Sequence, residues 1–234
     1  MKASIIIPAF NEAKSIGLVL DEIPRDDVVE IVVVDNGSTD GTAGVARRHG
    51  ARVVSESERG YGAACLKGIA SLEAKSNIVV ILDGDHSDYP EDLPLLLAPI
   101  QRGDAEFVIG SRVTGEAEKG SLQWNQRFGN ALACSLIRWL FGTRFTDMGP
   151  FRAIRRDSLQ KLEMRDKNYG WNAEMQVKAI EMGLRILEVP VRYRRRVGKS
   201  KISGTVKGTV LAGTKIIGTI LYYYPRFLRS RRKR

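Results

Sequence analysis

The chain of 234 residues holds two cysteines, Cys65 and Cys134, and two histidines. Both cysteines fall in segments patterned as helices, and no CxxC spacing occurs. This excludes a disulfide framework and a cysteine zinc site, and it fits a reducing compartment. Long apolar runs are missing as well. No stretch approaches the roughly 20 apolar residues of a spanning helix. The opening "MKASIIIPAF" has too short an apolar part for a signal peptide, and Pro8 interrupts it. A cytoplasmic location is therefore the expectation. Acidic residues are absent after Glu188, whereas 14 Lys and Arg stand between Arg192 and the end. Residues 1–191 carry 23 basic and 27 acidic side chains, a balance of −4, so the net charge of +10 comes from the C-terminus. Such a basic end attracts nucleic acid, anionic lipid or a phosphorylated substrate.

What is present is a regular alternation. Nearly continuous Val/Ile runs at 4–8, 30–35, 51–55, 77–83 and 106–111 read as strands buried on both faces. Between them, Glu12–Ile23, Thr42–His49, Tyr61–Lys75 and Leu93–Gln101 read as helices. Residues 121–141 and Asn172–Met182 pattern as further helices, and 185–193 as a strand; 147–159 reads as a loop, a short strand and a turn. The fold class is α/β, with an open sheet. The organisation expected is one domain over 1–203 and a basic tail over 204–234. Ligands of such sheets bind beyond the carboxyl ends of the strands.

Three strand ends carry chemistry. "ILDGDHSDYPEDL" (81–93) gathers Asp83, Asp85, Asp88 and Glu91. If the strand persists through Asp83 and Asp85, both side chains share one face. Converging carboxylates repel unless a cation lies between them, and Mg²⁺ or Mn²⁺ prefers such oxygen ligands. The same stretch also reads as a solvated turn in which Asp85 or Ser87 caps the next helix. "VVVDNGSTDGT" (32–42) places Asp35 at a strand end, either on a polar ligand or simply before a turn capped by Asp40 or Thr42. In "RGYGAACLKGIA" (59–70), Gly60 and Gly62 flank a helix start, where backbone N–H groups can approach a phosphate.

These pieces, with "IIIPAFNEAKSI", resemble the family 2 glycosyltransferases. "VIGSR", "RFGNALA", "FTDMGPFRAIRRD" and "EVPVRYRRRVGKSKI" further resemble the dolichyl- or polyprenyl-phosphate mannosyl- and glucosyltransferase branch. The resemblance spans about residues 3–203. It implies a GT-A fold, a nucleotide-diphosphate sugar donor of the GDP-mannose or UDP-glucose type, a Mg²⁺ or Mn²⁺ ion, and inversion at the anomeric carbon. Pro8, Ala9, Asn11 and Glu12 match its first nucleotide loop, and Asp35 its base-contacting residue. Asp83, Gly84 and Asp85 match the metal-holding DxD. Ser87 stands where the branch often has a metal-ligating Gln, and His86 points away along an extended chain. Arg112 and Arg127 match residues that hold the acceptor phosphate. Asp147 matches an active-site acid, although Gly149–Pro150 replaces a common Ser-Gly. Glu174 could orient that region or be an ordinary helix acid. Arg196, Gly198, Ser200 and Lys201 match a loop that closes over the donor phosphates.

In the tail, Val206, Val210, Ile216, Ile217, Ile220, Leu221 and Tyr224 fall on one side at helical spacing. Lys207, Gly208, Lys215 and Thr219 fall on the other, and "RFLRSRRKR" follows. This suits a helix lying in a membrane surface. It also suits a helix packed on the sheet. The expected partners are the donor, a polyprenyl phosphate and a membrane surface. The alternatives are a soluble hydroxyl acceptor, which would need a base such as Asp147 or Glu174, and a nucleic-acid-binding protein, which the confinement of positive charge to the tail argues against.

Overall fold

The Val/Ile runs become strands and the amphipathic stretches between them become helices. The structure is a computed structural model that describes residues 1–73, 75–198 and 206–231. Its strands are β1 (Ala3–Ala9), β2 (Val28–Asp35), β3 (Arg52–Ser55), β4 (Ile78–Ile81), β5 (Phe107–Ser111), β6 (Arg152–Arg155) and β7 (Ile186–Pro190). Its helices are α1 (Ile16–Asp21), α2 (Thr42–Arg48), α3 (Tyr61–Ala70), α4 (Leu93–Gln101), α5 (Trp124–Phe141), α6 (Arg156–Leu162), α7 (Trp171–Met182) and α8 (Val206–Arg231). The strands join in one sheet ordered β3-β2-β1-β4-β6-β5-β7. β6 runs antiparallel between β4 and β5, and every other pairing is parallel.

β1 explains the layers. Ile6 packs into a cluster with α3, α5, α7 and α8, whereas Ile5 and Ile7 pack into another with α1, α2 and α4. Successive strand side chains point to opposite faces, so a continuous apolar run needs helices on both sides. Ile6 is fully buried, and truncation to Ala is expected to cost about 2–5 kcal/mol.

Two differences from the sequence reading bear on the site. β4 ends at Ile81 instead of running through Asp83. The chain beyond it turns, with His86 at φ 64, and Asp85 Oδ1 accepts from the Ser87 N–H at 2.9 Å. Asp83 and Asp85 are therefore brought together by a turn and not by strand alternation. In α8 the apolar side is divided. Ile220, Tyr223 and Phe227 are buried in one cluster with α5 and α7, whereas Val210 and Leu221 are exposed. The helix is also tied down by polar contacts: the Tyr223 hydroxyl donates to Glu174 at 2.7 Å, and Lys215 pairs with Asp166 at 2.9 Å. Ser200, Lys201 and the expected boundary after residue 203 lie outside the described residues.

Candidate active site

Parallel strands deliver their carboxyl ends to one edge, where β1 ends at Ala9, β2 at Asp35 and β4 just before Asp83. A cavity of about 400 Å³ opens there. Pro8, Ala9, Glu12, Gly60, Asp83, Gly84, Asp85 and Arg196, all expected from the sequence, line it. Asn11 and Asp35 do not line it; they fix the neighbouring turn. Asn11 accepts from the Thr39 N–H at 2.8 Å, and Asp35 from the Ser38 N–H at 3.0 Å.

The sequence reading missed Phe10, Asn36, Arg59, Tyr61, Asn168 and Tyr169, which complete the wall. Asn36 is buried and acts as a clip. Its amide donates to the Glu56 and Glu58 carbonyls at 3.0 and 2.7 Å, and its carbonyl accepts from the Gly60 N–H at 2.9 Å. Its position directly after β2 is the one local signal. Asn168 and Tyr169 arrive on a segment pressed against the start of α3. A Cβ on Gly60 would lie 2.0 Å from the Lys167 carbonyl, and one on Gly62 2.0 Å from the Asp166 carbonyl. Only glycine permits that approach.

A second cavity of about 320 Å³ shares Tyr61, Asp83, Asp85, Tyr169 and Arg196 with the first, so the two meet at the carboxylates. Its far walls are α5, through Gly129, Leu132 and Ala133, and α8, through Ala212, Gly213, Ile216 and Ile217. Arg112, Tyr193 and Asn172 also line it. Arg127 is exposed on α5 and lines neither cavity.

Negative charge dominates the junction. Asp85 is buried, with Oδ2 3.1 Å from Arg196, which also reaches Glu12 at 3.2 Å. Asp83 Oδ1 is buried and has no hydrogen-bond partner. Burial and then the Asp85 charge push the Asp83 carboxyl up to about 7. This is an under-neutralised, hard-oxygen donor set, which fits Mg²⁺ or Mn²⁺. Among the described residues no three Asp, Glu, His or Cys side chains form a metal cage. The Ser87 hydroxyl donates to Asp85. His86 is turned outward onto Glu22 at 3.0 Å, and Arg194 pairs with the same carboxylate.

Asp147 is fully buried in a bidentate pair with Arg112, at 2.7 and 2.8 Å, and also accepts the Arg112 N–H at 2.8 Å. Burial alone would raise its carboxyl; the Arg112 guanidinium more than offsets this and holds it below the usual range. It is an ionised partner of Arg112 and not a free base. Glu174 lines neither cavity. It accepts from the N–H groups of Arg165 and Asp166 and from Lys178 and Tyr223, and so braces the segment carrying Asn168 and Tyr169.

An uncharacterized glycosyltransferase of Mycobacterium tuberculosis is 38% identical over 212 residues, covering 89% of this chain and 93% of its own. A dolichyl-phosphate hexose transferase of Haloferax volcanii is 34% identical over 221 residues, covering 93% of each. The crystal structure of M. tuberculosis glucosyl-3-phosphoglycerate synthase with Mn²⁺, uridine diphosphate and glucosyl-3-phosphoglycerate aligns with a TM-score of 0.76 over 96% of this chain and 80% of that one. At 23% identity that likeness concerns the fold, and the fold is GT-A. Residues 4–163 match Glycosyl transferase family 2, more than half of the chain and the whole of the strand-end carboxylate site. On that match the chain belongs to glycosyl transferase family 2 and is a glycosyltransferase.

Proposed function

We propose that the protein transfers a hexose from a nucleotide-diphosphate sugar to a polyprenyl phosphate at a membrane surface. One observation carries this reading: the second cavity has an apolar side formed by Leu132 and Ala133 of α5 and Ala212, Ile216 and Ile217 of α8, next to the polar Asn125, Gln126, Asn130 and Thr209, and Arg112 lines it together with Asp83 and Asp85. An apolar trough with a guanidinium at the reacting end suits a lipid with an anionic head. The dolichyl-phosphate relative supports the same acceptor class.

In this reading Pro8, Ala9, Glu12 and Gly60 border the nucleotide, Asn11 and Asp35 hold the turn beside it, and Arg196 faces its phosphates, with Ser200 and Lys201 following in sequence. Asp83 and Asp85, with Ser87 bracing Asp85, would hold Mg²⁺ or Mn²⁺. Such an ion would supply positive charge for the leaving nucleoside diphosphate. The bond from the sugar's anomeric carbon to the donor phosphate breaks, and its electron pair leaves with the diphosphate. A phosphate oxygen of the acceptor forms the new bond on the opposite face, which inverts the centre. That oxygen is already anionic at neutral pH, so positioning by Arg112 replaces a general base. The locked state of Asp147 is consistent with this. Arg127 adds positive charge on α5 beside the cavity.

The surface supports a membrane partner. α5 exposes Trp124 and Trp139, each at 80%, and Phe128 at 64%, while α8 exposes Val210, Leu221 and Tyr222. Arg226, Arg229 and Arg231 stand on the last turns of α8. Interfacial aromatics beside basic residues are the composition of a helix lying in a lipid headgroup layer. Among the described residues no helix is long and apolar enough to cross a membrane.

The test offers UDP- and GDP-hexoses with either a vesicle-embedded polyprenyl phosphate or 3-phosphoglycerate, in Mn²⁺ or in chelator. A product on the lipid phosphate alone, lost in chelator, is expected. Transfer only to the hydroxyl acceptor would replace this reading with the alternative.

A further inference from the structure

Beyond the paired carboxylates the chain makes a turn whose shape is set by a segment far away in sequence. His86 sits at φ 64, a left-handed backbone that non-glycine residues enter rarely and keep where surrounding contacts hold it. Those contacts come from the chain after β7. Four consecutive carbonyls of the turn each accept a hydrogen bond from it. Asp85 accepts from the Val197 N–H at 3.0 Å and Ser87 from the Arg194 N–H at 2.8 Å. His86 accepts from Arg194 Nε at 2.8 Å, and Asp88 from Arg194 Nη2 at 3.3 Å. Three of these four bonds are made by Arg194.

Arg194 is itself fixed. Its guanidinium pairs with Glu22, directly after α1, and lies 4.2 Å from the centre of the Tyr89 ring. The same Glu22 meets the His86 ring at 3.0 Å. The arginine side chain is 15% exposed and lines neither cavity. An exposed arginine paired with a single acid contributes little. This one uses its planar fork on backbone carbonyls and a carboxylate at once, a geometry that the point charge of a lysine does not reproduce.

The held turn aims a carboxylate. The Ser87 N–H and hydroxyl both donate to Asp85 Oδ1, and Oδ2 faces Arg196 at 3.1 Å. We propose that Arg194 is a positioning residue of the Asp83/Asp85 site: by holding the carbonyls of residues 86–88 it sets the Ser87 peptide and, through it, the direction of the Asp85 carboxylate. The inference rests on the metal reading given under the proposed function. The sign of the effect separates positioning from plain electrostatics. Arg194 is a cation, so if only its charge acted, removing it would strengthen the binding of a cation nearby. Loss of an orienting partner weakens that binding.

The test is a Mn²⁺ titration of the full chain followed by electron paramagnetic resonance, alone and with excess UDP or GDP. Arg194→Met should weaken Mn²⁺ binding by about 10-fold or more. Without metal, hydrogen exchange in residues 83–89 should quicken while β1 and β2 stay protected. Arg194→Lys keeps a positive charge beside Glu22 but has no Nε–H for the His86 carbonyl. It is expected to lose affinity in the same direction, and it carries the test should the Met variant fail to fold. Mn²⁺ affinity in the folded variant that is within about threefold of wild type, or tighter, overturns the inference. So does a loss of protection throughout the chain with affinity kept, which would make Arg194 an ordinary brace of the fold. If the wild-type protein binds no Mn²⁺ under any of these conditions, the metal reading falls first and the positioning role with it.

Discussion

Single side chains at the cavity junction have separable roles. Asp85→Asn keeps the shape of the turn but removes a charge that faces Arg196 and that would face the proposed cation. Transfer in Mn²⁺ should drop by at least about 100-fold, judged by removal of a comparable electrostatic contact in other active sites, while circular dichroism stays unchanged. Near-normal turnover would remove Asp85 from the metal site. Arg112→Ala is a different kind of change, because it strands Asp147 as a buried, unpaired carboxylate. Denaturant unfolding should show a loss of about 3–5 kcal/mol as well as lost turnover. Asp83 and Asp85 were legible in the sequence because their chemistry is local: two acids, one residue apart, after an apolar run. Asn36 and Tyr169 were not. The role of Asn36 depends on carbonyls at Glu56 and Glu58, and Tyr169 reaches the wall only because Gly60 and Gly62 admit a distant segment.

Among the elements, α7 and α8 are joined by a buried polar knot of Glu174, Lys178 and Tyr223. Burial alone would raise the Glu174 carboxyl; hydrogen bonds from Lys178, Tyr223 and two peptide N–H groups more than offset it and hold it below the usual glutamate range. A carboxyl depressed by folding contributes stability above its unfolded pKa and loses that contribution as pH falls through the folded one. Wild-type stability should therefore decline below about pH 4.5, and Glu174→Gln should flatten that decline while lowering stability at neutral pH. Unfolding by denaturant at several pH values measures both, and parallel curves for the two proteins would show that the knot does not titrate with folding. The first strands and helices were legible from Val/Ile runs and turn residues. β6 was seen only as a short strand, and its antiparallel place between β4 and β5 was not. Its Arg152 is fully buried and bonded to Gly149, Asn172 and Gln176, a set of partners no local pattern reveals. The apolar stripe of α8 was legible, but not its division between core and surface, which depends on where α5 and α7 lie.

Over the whole molecule, charge and apolar exposure concentrate at the C-terminal region and along α5. Removing α8 would uncover the cluster around Ile220, Tyr223 and Phe227, so truncation mixes lost packing with lost membrane contact. Exposed side chains give a cleaner test. The pair Trp124→Ser and Trp139→Ser should change folding stability by no more than about 0.5 kcal/mol, yet weaken co-sedimentation with anionic vesicles. Raising salt from 0.1 M should weaken it further, since the basic contribution is screened over about 10 Å at that ionic strength. Unchanged co-sedimentation of the double variant would separate α5 from the membrane. The central claim is that the sugar is passed to a phosphate oxygen of a lipid. The most direct measurement is phosphorus and proton nuclear magnetic resonance of the product formed from a polyprenyl phosphate, an α-linked nucleotide hexose and Mn²⁺. A hexosyl phosphodiester with an inverted, β anomeric centre is the expected result. A product linked through a hydroxyl oxygen, a retained α centre, or lipid phosphate left unconsumed while the donor reacts elsewhere would contradict it.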